Sequence, residues 1–155
     1  MKQELGLDAS IASGFSLGEY SALYACGVLS FSEVVKLVNY RAKFMEEAAN
    51  QNVGAMAAII GLEKDVLIEL CNYISDVWIA NYNTPSQLVI SGLKSKVQRV
   101  VDIVTNEYGK RAIMLNVSGG FHSPLMGEAA HKLESRFHEF NFREPRIPVI
   151  MNYNA

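Results

Sequence analysis

Ser16 has the setting in this sequence that most favours covalent chemistry. It is the central residue of a Gly-x-Ser-x-Gly motif at residues 14–18, between a short apolar run and a stretch of helix-forming residues. A strand, a sharp turn and a helix in that order form a nucleophile elbow, which holds a serine hydroxyl exposed at the start of a helix. The Leu17 amide at that start can donate to an oxyanion. The competing interpretation is a glycine-rich turn with no chemistry.

The two glycines of this motif have a predicted physical role. Because Gly14 and Gly18 carry no Cβ, the backbone can turn tightly between them and neighbouring elements can pack close to both. We therefore expect a tight turn with close packing at both positions.

A serine hydroxyl is a poor nucleophile until a base accepts its proton, so the three histidines are the candidates for that base. His131 and His138 lie seven residues apart on a predicted helix, off its apolar stripe, and we expect both to face solvent. His122 lies in a glycine-rich turn directly before that helix, where the helix dipole favours the neutral imidazole that can accept a proton. A Ser–His dyad is favoured over a triad, because no aspartate between Ser16 and His122 has a motif around it.

Arg41 interrupts the apolar stripe of a long helix predicted at residues 31–50. Ser30 and Glu33 form a capping-box pattern at the start of that helix. A cation on an apolar stripe needs an anionic partner, because an unpaired buried charge is costly. One interpretation is a structural ion pair, for example with Glu19, or a side chain that extends to solvent. The other is a guanidinium that holds a ligand carboxylate through two parallel hydrogen bonds. Periodicity leaves these alternatives open.

The composition indicates a globular protein and excludes several classes. Half of the 155 residues are hydrophobic, 19% are charged and the net charge is -2. With no basic block, nucleic acid is not expected as a partner. The apolar runs are too short to span a membrane, and residues 1–6 do not resemble a signal peptide. Cys26 and Cys71 are predicted to be buried thiols in a reducing, cytoplasmic compartment. We expect no metal site and no permanently bound cofactor, because no ligand spacing or phosphate-binding motif occurs.

The middle of the chain predicts a compact unit of its own. Residues 53–117 follow the order strand, helix, strand, strand, helix, strand, which is the ferredoxin-like pattern. The strands are predicted at 53–60, 76–82, 87–91 and 110–117, the helices at 63–73 and 94–108, and a turn at 83–86. We therefore expect this unit to be inserted into a larger lobe.

The remaining parts of the chain are assigned to that larger lobe, at residues 1–52 and 118–155. Gly6 is predicted to cap the end of a helix. Ser123 and Pro124 predict the start of a helix that runs to residue 140, and a final strand is predicted at 145–152.

Five segments of the sequence resemble the malonyl-CoA:acyl-carrier-protein transacylase family. They are the nucleophile segment at residues 14–23, the arginine helix segment at 40–45, the opening of the ferredoxin-like lobe at 54–61, its central hairpin at 83–92 and the histidine segment at 121–126. The resemblance covers nearly the whole chain. It implies part of an α/β-hydrolase-like large lobe with an inserted ferredoxin-like lobe, truncated at both ends. It also implies that the family's first strand and second oxyanion donor precede residue 1.

The same resemblance implies a role for each candidate residue. Ser16 would take the malonyl group from coenzyme A as an ester, with His122 as base and then acid. The Leu17 amide would supply half of the oxyanion hole, Arg41 would bind the free malonyl carboxylate, and Phe121 would favour malonyl over branched substrates. Malonyl-CoA would be the substrate and acyl carrier protein the partner, in fatty-acid or polyketide synthesis.

Two other functions stay open from the sequence. A serine esterase or thioesterase would need an acid beside His122 and would have no use for Arg41 on the core stripe. An inactive, truncated binding module would retain the ferredoxin-like unit without chemistry.

Overall fold

The chain is a mixed α/β protein with parallel and antiparallel strand pairs. The computed structural model describes residues 9–153, so the helix end predicted at Gly6 lies outside the described residues. Two compact units are present. The described residues of the first unit are 9–42 and 133–153, and the second unit comprises residues 43–132.

The elements are numbered in chain order. The strands are β1 (Ala12–Ser13), β2 (Gly54–Ile60), β3 (Val77–Thr84), β4 (Gln87–Leu93), β5 (Arg111–Met114) and β6 (Val149–Ile150). The α-helices are α1 (Gly18–Ala25), α2 (Phe31–Gln51), α3 (Lys64–Ile74), α4 (Lys94–Asn106) and α5 (Gly127–Glu134), with 3-10 turns at Pro124–Met126 and Phe137–Glu139.

In the first unit, β1 and β6 pair in parallel, with Ala12 opposite Val149 and Ser13 opposite Ile150. Its buried core lies beside this pair and includes the first part of α2. The buried members of the core are Cys26, Val28, Leu29, Leu37 and Phe140.

The predicted capping box at the start of α2 is confirmed. The Ser30 amide donates to Glu33 Oε2 at 2.7 Å, and the Glu33 amide donates to Ser30 Oγ at 3.3 Å. Hydrogen bonds from the Ser30 hydroxyl and amide lower the pKa of the Glu33 carboxyl to about 2. The same carboxylate accepts from the Asn141 amide and from Arg143 Nη2, so it also holds the segment after the second 3-10 turn.

The end of the chain departs from two predictions. The helix predicted to continue to residue 140 ends at Glu134, and Phe137 is 43% exposed and packs edge-on against Phe142 at 5.6 Å. The predicted strand at 145–152 is reduced to the two residues of β6. The amides of Arg143 and Arg146 donate to carbonyls of the loop after α1 at 2.9 Å, so this stretch binds a loop and not a strand.

The second unit contains one antiparallel sheet of order β3-β4-β2-β5. Helices α3 and α4 share one core with its strands. That core consists of Ala55, Ala57, Ile59, Leu62, Leu67, Cys71, Ile74, Val77, Leu88, Ile90, Val97, Val100, Val101 and Val104. The predicted order of elements is observed, but the turn is shorter: β3 runs to Thr84, and only Pro85 and Ser86 connect it to β4.

Both cysteines are free and buried, as predicted, and burial raises the pKa of the Cys71 thiol to about 11. Within residues 9–153, no helix has the length and apolar character needed to cross a bilayer.

The turn between β1 and α1 requires glycine at one of the two predicted positions. A Cβ added to Gly14 would collide with the carbonyl of Gly18 and with the amide of Glu19. A Cβ added to Gly18 would meet no atom within 4 Å, and Gly18 has no positive φ. The prediction for Gly14 is confirmed and that for Gly18 is wrong, because the backbone approaches only the Gly14 side.

Gly14→Ala should therefore lower the free energy of unfolding of the intact protein by roughly 1–3 kcal/mol, because the obstructing atoms are backbone and cannot move aside cheaply. Gly18→Ala is the matched control and should leave stability unchanged or slightly raised, since alanine favours the first turn of a helix. Urea unfolding of the two variants measures the difference. Equal losses for both would contradict the assignment.

Glu33→Gln tests the cap as a titrating group. A carboxyl with a lowered folded pKa contributes its full stability above its unfolded pKa and loses that contribution as the pH falls through the folded value. The advantage of wild type over Glu33→Gln should thus be complete above about pH 5 and decline toward pH 2. Thermal unfolding across this range measures it, with exposed Glu46 of the same helix as control (Glu46→Gln). An advantage that stays constant on acidification would refute the prediction.

Candidate active site

Ser16 lies at the junction of β1 and α1 with a left-handed backbone, φ +51°. L-residues other than glycine adopt this region rarely, and such strained residues cluster at functional sites. Two hydrogen bonds close the turn: the Gly18 amide donates to the Phe15 carbonyl at 2.8 Å, and the Glu19 amide donates to the Ser16 carbonyl at 3.2 Å. The predicted strand, turn and helix are thus present around Ser16, whose side chain is half-buried.

The Leu17 amide lies directly before the first residue of α1. The following amides of Gly18 and Glu19 are used within the turn, whereas the Leu17 amide donates to no acceptor in the part of the chain that the structure describes. An amide in this position carries the partial positive charge of a helix N-terminus. It is able to donate to an anionic oxygen formed beside Ser16.

The Arg41 guanidinium contacts the Ser16 hydroxyl. Arg41 Nη2 donates to Ser16 Oγ at 2.9 Å, and the guanidinium carbon lies 5.5 Å from the centre of the Tyr20 ring. Burial raises the pKa of the Tyr20 hydroxyl, and the Arg41 charge acts in the opposite direction. Among the described ion pairs none joins Arg41 to Glu19, so the structural ion pair considered from the sequence is not formed.

Asn152, two residues after the end of β6, contacts the same turn. Its Oδ1 accepts from the Ser16 amide at 2.8 Å, and its Nδ2 donates to the Gly14 carbonyl at 2.6 Å. The backbone amide of Asn152 donates to Glu19 Oε1 at 3.4 Å. Sequence reasoning missed this residue, although a polar side chain just after a strand parallel to the nucleophile strand was a signal for it.

His122, in the second unit, also has a left-handed backbone, φ +58°, and an exposed side chain. It precedes the predicted N-cap Ser123, which is confirmed: Ser123 Oγ accepts from the Leu125 amide at 3.3 Å and donates to the Gly120 carbonyl at 2.6 Å. The cap fixes the path of the chain on both sides of His122.

Close packing explains the glycines of the His122 loop. A Cβ on Gly119 would lie 2.7 Å from the Ala49 Cβ of α2, and one on Gly120 would lie 2.8 Å from Leu125 Cδ1. The amide of Gly120 in turn occupies the space that a Cβ on Gly54 would need. Phe121, between this glycine pair and His122, is half-buried.

The candidate residues thus fall into two groups. Ser16, Leu17 and Arg41 lie together in the first unit, and Phe121 and His122 are adjacent in the second. The other two histidines, His131 and His138, are exposed, as predicted. Across residues 9–153, no group of three or more histidine, cysteine or acidic side chains is arranged to hold a metal ion.

The chain is similar to known proteins along nearly its whole length. A family model described as "Acyl transferase domain" matches residues 2–155. The malonyl CoA-acyl carrier protein transacylase of Bacillus subtilis (strain 168) is 41% identical over 157 residues, which cover 99% of this chain and 50% of that protein. The protein of the same name from Staphylococcus aureus (strain MRSA252) is 39% identical over 153 residues, covering 96% of this chain and 50% of the relative.

The fold of this chain is also similar to solved structures of such proteins. The crystal structure of FabD from Acinetobacter baumannii superposes with a TM-score of 0.92 at 43% identity, covering 99% of this chain and 50% of that one. A type II PKS acyl-carrier protein in complex with its malonyl-transacylase (PlMCAT:AntF) gives 0.89 at 40% identity, with 96% and 50% covered. This chain therefore spans about half the length of the curated relatives it matches, and it belongs to the acyl transferase domain family.

Proposed function

We propose that the protein transfers a malonyl group from coenzyme A, through an ester on Ser16, to the phosphopantetheine thiol of acyl carrier protein. The observation that carries this proposal is the contact of Arg41 with Ser16, at 2.9 Å between Nη2 and Oγ. The cation beside the nucleophile suits an acyl group that carries a second, free carboxylate. The names of the relatives and solved structures support the same substrate.

In the first half-reaction, Ser16 Oγ attacks the thioester carbonyl of malonyl-CoA while His122 accepts the hydroxyl proton. The carbonyl oxygen becomes an oxyanion, which the Leu17 amide stabilises by donating a hydrogen bond. The intermediate collapses with cleavage of the C–S bond, and His122 returns the proton to the departing thiolate of coenzyme A. The left-handed backbone of Ser16, which sets its hydroxyl at the start of α1, supports its role as nucleophile.

In the second half-reaction, the thiol of the carrier protein attacks the Ser16 ester, in the role that water would have in hydrolysis. His122 accepts the thiol proton, the sulfur attacks the Ser16 ester, and the serine oxygen leaves with that proton. Arg41 holds the malonyl carboxylate through two charge-assisted hydrogen bonds during both steps, which keeps the ester carbonyl in one orientation. A hydrolase acting on neutral esters would gain nothing from this cation, so the contact favours transfer of a dicarboxylic acyl group.

Phe121 is the proposed specificity residue beside the base. It is half-buried and its backbone is held between the packed glycines and the Ser123 cap. A bulky, restrained ring next to His122 would leave room for malonyl and exclude a branched acyl group. The acyl-carrier protein bound in one of the similar solved structures supports acyl carrier protein as the partner of this chain.

We also propose how the lobes are organised. Residues 53–117 form an inserted ferredoxin-like lobe, which the strand–helix–strand–strand–helix–strand order and the antiparallel sheet of the second unit support. Residues 1–52 and 118–155 belong to an α/β-hydrolase-like lobe, which the parallel pair β1–β6 and the elbow at Ser16 support. The buried free thiols support a reducing, cytoplasmic setting.

Incubation of the intact protein with malonyl-CoA should add one malonyl group, located at Ser16 by mass spectrometry. Ser16→Ala should abolish the adduct, and His122→Ala should slow its formation by roughly 10²–10⁴-fold through loss of the base. His131→Ala, at an exposed histidine, is the control and should react normally. Malonylation of another residue, or none, would overturn the proposed function.

Arg41→Ala should slow malonyl transfer by about 10²-fold or more, because two charge-assisted hydrogen bonds to the carboxylate are lost. Acetyl-CoA has no such carboxylate, so its slow transfer should change little by comparison. Steady-state kinetics with both donors give the ratio, and Arg41→Lys should recover only part of the loss because lysine cannot bind two oxygens in parallel. Equal losses for the two donors would show that Arg41 does not bind the carboxylate.

A further inference from the structure

Asn152 places a side-chain amide where a strand would place its backbone. In the parallel pair, Ala12 lies opposite Val149 and Ser13 opposite Ile150. Continuing this register sets residue 15 opposite Asn152. In a parallel ladder, the residue at that point donates its N–H to the carbonyl of residue 14 and accepts, at its carbonyl, the N–H of residue 16.

The Asn152 side chain makes both of the hydrogen bonds that a strand backbone would make at this position. Asn152 Nδ2 donates to the Gly14 carbonyl at 2.6 Å, and Oδ1 accepts from the Ser16 amide at 2.8 Å. The Asn152 backbone amide is turned away to Glu19 Oε1 at 3.4 Å. The side chain therefore continues the sheet for one step beyond the point at which the backbone of β6 leaves it.

This extra step ends at the residue with the strained backbone. The peptide that enters Ser16 is fixed by Asn152, and the peptide that leaves it is fixed by the bond from the Glu19 amide to the Ser16 carbonyl at 3.2 Å. With both flanking peptides held, the left-handed φ of +51° is maintained although serine rarely adopts it. Glu19 joins the two restraints, because its carboxylate accepts from Asn152 and its amide closes the turn.

We infer that Asn152 is a positioning residue for the Ser16 nucleophile. Its side chain acts through the backbone of the turn and does not touch the substrate. The position requires one donor and one acceptor on a planar group two bonds from the backbone, which asparagine alone supplies at neutral pH. This inference rests on the proposed role of Ser16, and the experiment below separates the two.

The experiment compares wild type, Asn152→Ala and the near-isosteric Asn152→Asp in the intact protein. Two quantities are measured: hydrogen exchange of the Ser16 amide, and the rate of Ser16 acylation at saturating malonyl-CoA, per folded protein. Asn152→Ala should make the Ser16 amide exchange faster and slow acylation by about 10²-fold, the scale of a 1 Å misplacement. The malonyl-CoA concentration for half-saturation should change little, because Arg41 is retained.

Asn152→Asp keeps an oxygen that accepts from the Ser16 amide but sets a carboxylate against the Gly14 carbonyl. It should therefore retain more protection of the Ser16 amide than Asn152→Ala and still acylate more slowly than wild type. Asn72→Asp, the same change at an exposed site on α3, is the control and should match wild type in both measurements. A purely structural role would lower thermal stability while leaving acylation per folded protein unaltered.

Unchanged exchange of the Ser16 amide in Asn152→Ala, or wild-type acylation per folded molecule, would overturn the inference. If wild type itself takes up no malonyl group, the proposed function is wrong, and the exchange measurement then decides whether Asn152 holds the turn.

Discussion

The left-handed backbone at Ser16 is the constraint on which the candidate site depends. A serine in this conformation costs of order 1–3 kcal/mol, so the surrounding structure must hold it from several directions. Because Gly14 has no Cβ, the carbonyl of Gly18 can pack against it. Amides at the start of α1 close the turn, and the Asn152 side chain binds the Ser16 amide where the chain enters the turn. The result directs one hydroxyl toward the guanidinium of Arg41 and sets the Leu17 amide beside it.

The backbone of His122, in the second unit, is constrained in a similar way. It is also left-handed, and it too is held by glycines that permit close packing on one side and a capped helical turn on the other. In both places a candidate catalytic side chain lies two residues after a glycine and just before the start of a helix. Glycine supplies the close approach, and the helix start supplies fixed amides and a favourable dipole.

Much of this arrangement could be predicted because its determinants are local. The elbow around Ser16, the capping box of Ser30 and Glu33 and the N-cap at Ser123 each depend on residues within a few positions of one another. The features that were missed depend on distant partners. Asn152 acts on a turn 136 residues away, and the last predicted strand is diverted by carbonyls of the loop after α1. The periodicity of apolar residues cannot show which distant backbone carbonyl will accept a hydrogen bond from a given amide.

The bonds of Glu33 to residues 141 and 143 have a consequence for the order of folding. The bonded residues are 108 and 110 positions apart in the sequence, and all residues of the second unit lie between them in the chain. The first unit is discontinuous in the chain, so its two halves meet only after a long loop is closed, at an entropic cost that grows slowly with loop length. The second unit lies on one continuous segment and meets its partners at shorter separations. It is thus the part of the chain able to fold first, and once compact it would shorten the loop that the first unit has to close.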